Sequence, residues 1–393
     1  AAIVIYNTPV PSPISQPIPG HDPFAHLTRL QPIRGETEDW RLNVPAKPAT
    51  YLLEDAEHRP ILLATVGNLR QALLRRLSEP TEEGGKRIDY RALVRFVRWR
   101  DVCSRFEGDW AYLCNARRLF NDQWQKMTRN WRGWWIGCNL DEAHPRFVAR
   151  DHPFTPTDQC FGPLPERRLA RQCIEALEDA FDLCREHHLL TQTPNAVACA
   201  YKQMAKCPAP CDGTITMHAY RDQLRQAAAF LAGDRQPRVQ QITQAIKAAS
   251  AELNFELAAT LKAQLDHVEH FASPSMAHFA PASAFNYVVL QSGRRKHCVR
   301  AFVVTPARIH FAGEMQKRQR AQQMAYLVDL ADHYFEADAS AELAPAEVGL
   351  VAWHMQSARR AGAFLHCPEG HVDQSTLATA IASVGDPDAS SPP

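Results

Sequence analysis

Four thiols fall within one short reach of the chain: Cys184, Cys199, Cys207 and Cys211. Three of them lie in CAYKQMAKCPAPCDG, residues 199–213, where two prolines and a glycine stiffen and turn the backbone. Thiolates are soft ligands, and four from one segment can close a tetrahedral zinc site or grip an iron–sulfur cluster. The intervals do not form a pair of C-x-x-C knuckles, so spacing alone leaves both open, along with four core cysteines that happen to be close. Cys173, one helix earlier, reads as a core residue. His187 and His188 sit at a polar helix end and read as solvated rather than as ligands.

A second constellation is basic and aromatic. Between Lys86 and Arg132 twelve cations face five anions, and Trp99, Trp110, Trp124, Trp131, Trp134 and Trp135 fall in or just after that stretch. Arginine with aromatic rings suits a nucleic-acid surface, through phosphate contacts and base stacking. A solvated basic face over an aromatic core satisfies the same pattern. The net charge of +1 by itself gives no reason to expect a polyanionic partner.

These residues must be placed by a chain of 393 residues, 45% hydrophobic and 22% charged, long enough for two or three cores. No run approaches the ~18–20 apolar residues that span a bilayer, and no basic n-region precedes an apolar stretch, so no membrane partner is expected. Eleven cysteines, an odd number and mostly scattered, argue against a disulfide framework and for a reducing cytoplasm. The chain begins at Ala1 rather than Met, as expected of a processed or incomplete start.

The pattern predicts a multidomain α+β protein. Residues 1–38, rich in proline, read as an extended arm. From 45 to 79 the order is strand, turn, strand, helix, with Tyr51-Leu52-Leu53 and Ile61–Val66 as apolar runs about the polar turn Glu54–Arg59. Asn68 is placed to cap a helix whose apolar face carries Leu69, Leu73, Leu74 and Leu77. One or two helices over 88–124 complete a first domain over 39–135, and a strand-rich connector over 136–165 follows. Residues 166–235 form the helical cysteine region, with helices over 167–184 and about 217–231. Residues 240–271, within a segment 236–275, read as a helical hairpin with Ile242, Ile246 and Ala249 on one stripe and Phe255, Ala258, Leu261, Leu265 and Val268 on the other. Strands return over 284–312 in a segment 280–350, with a helix near 318–337. The tail over 351–393 reads as mostly disordered from about 361.

The string Cys199, Tyr201, Lys206, Cys207, Ala209, Pro210, Cys211, Gly213 resembles the cysteine motif of the UvrC family, the nuclease subunit of bacterial nucleotide excision repair. Upstream, Cys160–Pro165 (CFGPLP) is similar to that family's Y-F-G-P-Y-P turn, and Pro145-Arg146-Phe147 to its P-R strand. Downstream, Ala251–Glu256 with Ala258-Ala259 resembles the centre of a UVR motif. The resemblance runs from about 45 to 350 in the family's order. It implies that Cys184, Cys199, Cys207 and Cys211 hold a four-iron four-sulfur cluster, with zinc as the alternative. It implies DNA as a partner, and a UvrB-like protein that meets the 240–271 hairpin through Leu253, Phe255, Ala258 and Ala259.

The same resemblance implies that residues 39–135 are a small α/β domain of the GIY-YIG nuclease type. That chemistry needs a tyrosine, an arginine against developing phosphate charge and a carboxylate for a divalent ion. Tyr51 and Arg70 stand at the matching positions. The family's second tyrosine and its glycine fall on Leu62 and Ala64, and the metal-binding glutamate falls on Tyr112, a poor Mg²⁺ ligand. The family's RNase H-like nuclease, and its helix-hairpin-helix end, are expected to be missing. The expectation is therefore a DNA- and UvrB-binding protein without incision of its own. Two alternatives stand beside it: an active endonuclease with a rearranged Mg²⁺ site using Glu107 or Asp109, and an unrelated metal-stabilised adaptor.

Overall fold

Two apolar runs split by a charged turn fold back on each other as an antiparallel pair in this computed structural model. It describes residues 26–27, 29–32, 40–77, 89–131, 133–151, 159–271, 276, 278–316, 320–356 and 362–384. Among these, contacts divide the chain into two compact units, one of residues up to 102 with 108–124, the other of 103–107 with 125 onward. The proline-rich arm lies almost wholly outside the described residues.

In the first unit, β1 (Arg29–Pro32), β2 (Ala49–Glu54), β3 (Pro60–Val66), α1 (Leu69–Leu77) and β4 (Phe96–Asp101) precede the helix α2 (Arg105–Leu119). The sheet order is β1-β4-β2-β3, antiparallel throughout, with Tyr51 opposite Ala64 and Leu52 opposite Leu63. The turn between β2 and β3 is held by Asp55, whose carboxylate accepts from the Arg59 amide at 2.8 Å and its Nε at 2.7 Å. Asn68 caps α1 as its residue type predicts, accepting from the Gln71 amide at 3.0 Å, a contact worth about 1 kcal/mol. Side chains alternate across β2. Tyr51 and Leu53 pack with Leu69 and Leu73, while Thr50 turns to α2. There the hydroxyls of Thr50 and Thr65 both donate to the Gly108 carbonyl, at 3.0 and 3.1 Å. A methyl at position 108 would stand 2.6 Å from Thr65 Cγ2, so the close approach of helix and hairpin requires glycine.

The second unit opens with β5 (Trp134–Cys138), β6 (Val148–Arg150), β7 (Gln159–Leu164) and α3 (Arg167–Ala180), then α4 (Met217–Leu231), α5 (Gln236–Ala251) and α6 (Phe255–His270). β8 (Ala280–Pro281) completes a sheet ordered β6-β5-β7-β8. One core joins sheet, α3, α4 and the hairpin α5–α6: Ile136, Phe161, Leu177, Tyr220, Leu224, Ile242 and Val268 are buried together. Through it runs a file of rings, Phe181, Phe230, Phe271, Phe279 and Phe161, in edge, tilted and stacked contacts 5.4–6.4 Å apart.

Beyond this, β9 (Tyr287–Ser292), β10 (Cys298–Val304) and β11 (Ile309–Gln316) form a meander, followed by α7 (Arg320–Ala337) and α8 (Pro345–Gln356). The expected disordered tail needs correction. β12 (Ala363–His366) pairs antiparallel with β9, and α9 (Gln374–Ser383) buries Leu377 and Ile381 against Leu327, Ala331 and Phe335. The apolar residues at 377, 381 and 384 keep helical spacing, and Asp373 caps the helix by accepting from the Thr376 amide at 2.7 Å. The described residues hold no helix long and apolar enough to cross a membrane.

Candidate metal centre

The thiol segment is irregular backbone pinned by a few polar contacts. α3 ends at Ala180, Asp182 takes a left-handed conformation, and the Cys184 amide then donates to the Tyr220 hydroxyl of α4 at 3.2 Å. The Ala196 amide donates to the Cys211 carbonyl at 3.1 Å, tying the two arms of the loop. Cys199 precedes a single helical turn, Ala200–Gln203, and Lys202 Nζ binds Asp212 at 2.5 Å and Thr214 at 2.7 Å. Ala205 (φ 55°) and Ala209 (φ 54°) flank Cys207 in the left-handed region, and Gly213 (φ 79°) closes the turn. A left-handed alanine costs roughly 1–2 kcal/mol, so two beside one thiol are strain of the kind that surrounds a functional group.

Cys184, Cys207 and Cys211 are buried, and Cys199 is partly exposed. The Cys184 thiol donates to the Glu186 carbonyl at 3.7 Å and lies near enough to Cys207 for the two to interact. The interaction with Cys184, the Ala209 backbone amide and the Arg185 cation together outweigh burial and lower Cys207, whereas Cys184 is raised by its interaction with Cys207 and by burial. Burial raises Cys211, with the charges of Cys207, Asp212 and Cys199 adding to it. The structure therefore joins Cys184 to Cys207, and sets Cys211 within electrostatic range of Cys207 and Cys199. Among the described residues no three His, Cys, Asp or Glu side chains close on one ion. A zinc ion needs four donors about 2.0–2.3 Å from one centre, whereas a four-iron cluster spreads its thiolates over four irons. Four thiols with no competing imidazole are a donor set that either group accepts. His187 contacts the His144 carbonyl at 3.3 Å and His188 faces Glu186 at 3.3 Å. None of the eleven cysteines forms a disulfide.

Two residues around these thiols escape sequence reasoning. Tyr220 anchors the Cys184 amide from a helix 36 positions away. Arg185 stands over the Tyr201 ring at 4.8 Å and donates to the Lys206 carbonyl at 3.2 Å. Its place directly after Cys184 was the available signal.

In the first unit Tyr51 is fully buried, and burial raises its phenol against the opposing charge of Arg76. Leu62 and Ala64 pack against the same apolar cluster. Arg70 donates to the Val44 carbonyl at 2.8 Å. Glu107 belongs to the second unit, where, with 1% of its surface exposed, it accepts from the Cys103 amide at 3.1 Å and meets Arg300 Nε at 3.4 Å. Trp99 and Trp110, and Trp135 of the second unit, are core residues and serve packing, whereas Trp124, Trp131 and Trp134 are half-buried. Arg98 is held by Glu54 at 3.2 and 3.3 Å, and Arg91 by Asp89 at 3.2 Å. Lys86, Arg87 and Arg132 lie outside the described residues.

Residues 134–230, the span from β5 to the end of α4 that holds all four thiols, match the family model of the UvrC/Cho excinuclease middle domain. A UvrABC system protein C of Corynebacterium jeikeium (strain K411) is 25% identical over 319 residues, 77% of this chain and 44% of that protein. Another, of Syntrophus aciditrophicus (strain SB), is 26% identical over 234 residues, 57% of this chain and 36% of that protein. The chain is thus similar to UvrC proteins, most specifically over the segment that carries the thiols. It spans less than half the length of these curated relatives. No solved structure matches it.

The UvrC-like chain presents its hairpin tip to solvent. α5 ends at Ala251, Leu253 turns through a left-handed conformation (φ 58°), and Asn254 caps α6 by accepting from the Leu257 amide at 3.1 Å. Leu253 and Phe255 are 72% and 67% exposed, Leu257 is exposed too, and Ala259 lies beside them while Ala258 is half-buried. Phe255 thus departs from the buried stripe expected of it. It is the first residue of α6 and stands beyond the end of α5, where no facing helix covers it.

Proposed function

We propose that this chain is a UvrC-type protein of nucleotide excision repair that binds DNA and a UvrB-like partner and makes no incision itself. The observation that carries the non-cutting half is the burial of Tyr51 beside Leu62 and Ala64. Where the GIY-YIG chemistry needs a phenol open to water and phosphate, this domain has packed apolar side chains. Glu107, one of the two carboxylates (with Asp109) an alternative metal site would use, is committed to Arg300 and a backbone amide. Arg70 remains as a cation near the sheet, and arginines that survive their local pairing supply phosphate contacts.

The exposed Leu253, Phe255 and Leu257 form an apolar tip on a helical hairpin, the kind of surface that docks against another helix pair. Cys184, Cys199, Cys207 and Cys211 would hold an iron–sulfur cluster, whose contribution when bound is to cross-link the loop. Around it, this chain's own residues do the positioning: Tyr220 fixes Cys184, and the two left-handed alanines set Cys207.

The test incubates damaged and nicked duplex with the protein and Mg²⁺ or Mn²⁺, beside an Arg70→Ala variant. Binding that weakens steeply with salt and leaves the duplex intact is expected. Cleavage by the parent that disappears in the variant overturns the non-cutting reading.

A further inference from the structure

The base of the hairpin and the thiol loop meet on one polar hub at the end of α3. Arg185, mostly buried, binds Asp179 through Nη2 at 2.5 Å, approaches Glu178 with Nε at 3.8 Å and donates from Nη1 to the Lys206 carbonyl at 3.2 Å. Lys206, the residue before Cys207, reaches Asp179 at 3.7 Å. From the hairpin, Gln264 Nε2 donates to the Asp179 carbonyl at 2.8 Å and to Asp182 Oδ1 at 3.4 Å, and His267 Nδ1 lies 3.8 Å from Asp179. Arg238 of α5 donates to the Ala180 carbonyl and covers the Phe181 ring at 4.9 Å. Asp179 is therefore shared between the loop that carries the thiols and the helix that carries the hairpin tip.

We propose that Arg185 is a positioning residue that couples the thiol site to the helical hairpin, so that loading the thiols fixes the hairpin base. Its guanidinium touches Asp179, the backbone beside Cys207 and the Tyr201 ring at once. Loading would leave the four cysteines as thiolates, their four protons released to solvent, with net negative charge on the loop. That charge draws Arg185 tighter onto the Lys206–Cys207 turn. A guanidinium held on that side holds Asp179 in place, and with it the acceptor positions used by Gln264 and His267. The inference rests on the thiol-site reading, and its test separates the two.

The probe is Co²⁺ added anaerobically to the reduced full chain, with thiolate-to-cobalt absorption reporting binding and hydrogen exchange reporting the hairpin. Loading should slow exchange of the amides of 262–270 by about threefold to tenfold, while those of 255–258 at the tip stay unchanged. In Arg185→Gln at saturating cobalt that slowing should vanish, and Arg185→Lys should restore part of it. The Gln264→Ala/His267→Ala pair changes only hairpin side chains; it should bind cobalt like the parent and lose the slowing. Stoichiometric cobalt absorption with no change at 262–270, or an equal change at base and tip, overturns the coupling. An undiminished response in both variants overturns it as well. A parent whose thiols take up no cobalt overturns the thiol-site reading first and the coupling with it.

Discussion

Replacing Phe255 by alanine separates folding from docking. A fully buried phenylalanine costs about 3–5 kcal/mol when truncated, cavity included. Phe255 leaves 67% of its surface in water, so only a third of its burial energy belongs to the isolated chain. Taking about 1.5–3 kcal/mol for complete burial, its share of folding stability is ~0.5–1 kcal/mol. The other two thirds, ~1–2 kcal/mol, remain for a partner to collect, which is about a 5- to 30-fold change in Kd. Urea unfolding of Phe255→Ala should therefore shift little, beside a Phe230→Ala control that loses the full core value. Calorimetric titration with a UvrB-type helical hairpin should show the 5- to 30-fold loss, and Leu253→Ala a similar one. A stability loss near 3 kcal/mol would mean that the ring pins the hairpin after all. Unchanged stability with unchanged affinity would mean that the tip is not the docking surface.

Other perturbations have equally definite outcomes. Gly108→Ala forces a methyl onto Thr65, whose side chain is held by its bond to the Gly108 carbonyl, and should destabilise the first unit by about 1–3 kcal/mol in thermal unfolding. Anaerobically purified parent should carry iron and broad visible absorbance that Cys207→Ser lacks; stoichiometric zinc without iron would make the site a zinc staple. Burial pushes Glu178 up to about 7, so its contribution to stability is complete below the unfolded value near 4.5 and is lost as pH rises through 7. Glu178→Gln should accordingly flatten the stability profile between about pH 4.5 and 7, and exceed the parent at pH 8 by ~1–3 kcal/mol in urea unfolding.

Much of this architecture could be read from local rules. Asn68 caps where its type says it should, Met217–Leu231 is helical over the span its apolar period marks, and the hairpin turns at Glu252–Asn254. The turned, thiol-rich loop could be read because two prolines and a glycine punctuate the chain beside Cys207 and Cys211. What escaped was tertiary. A helical stripe says which residues share a face, but not where the facing helix stops, so Phe255 was assigned to a core that ends at Ala251. The tail was judged on its polar composition, which hid the apolar period of Leu377, Ile381 and Val384. Tryptophans among arginines looked available for stacking on bases until the fold buried Trp99 and Trp110.

On the proposed reading, Tyr51 is a motif residue that loses the chemistry of its position without being replaced. Its strand parity matches that of Leu53, and both face α1, where Leu69 and Leu73 wait. A tyrosine in an open cleft would keep its hydroxyl hydrated and free to act on a bound water. Once Leu62 and Ala64 stand where a second phenol and a glycine would open that cleft, the same side chain becomes core. Burial then raises its pKa, which makes the phenol a weaker acid, and the adjacent Arg76 only partly offsets this. Restoring a carboxylate at Tyr112 therefore addresses the wrong deficit, since the ion it would bind has no reachable phenol to work with. Reopening the cleft through Leu62→Tyr and Ala64→Gly would first have to overcome the loss of packed apolar surface around Tyr51. On that reading, the contacts that hold the domain together are the ones that would close the site.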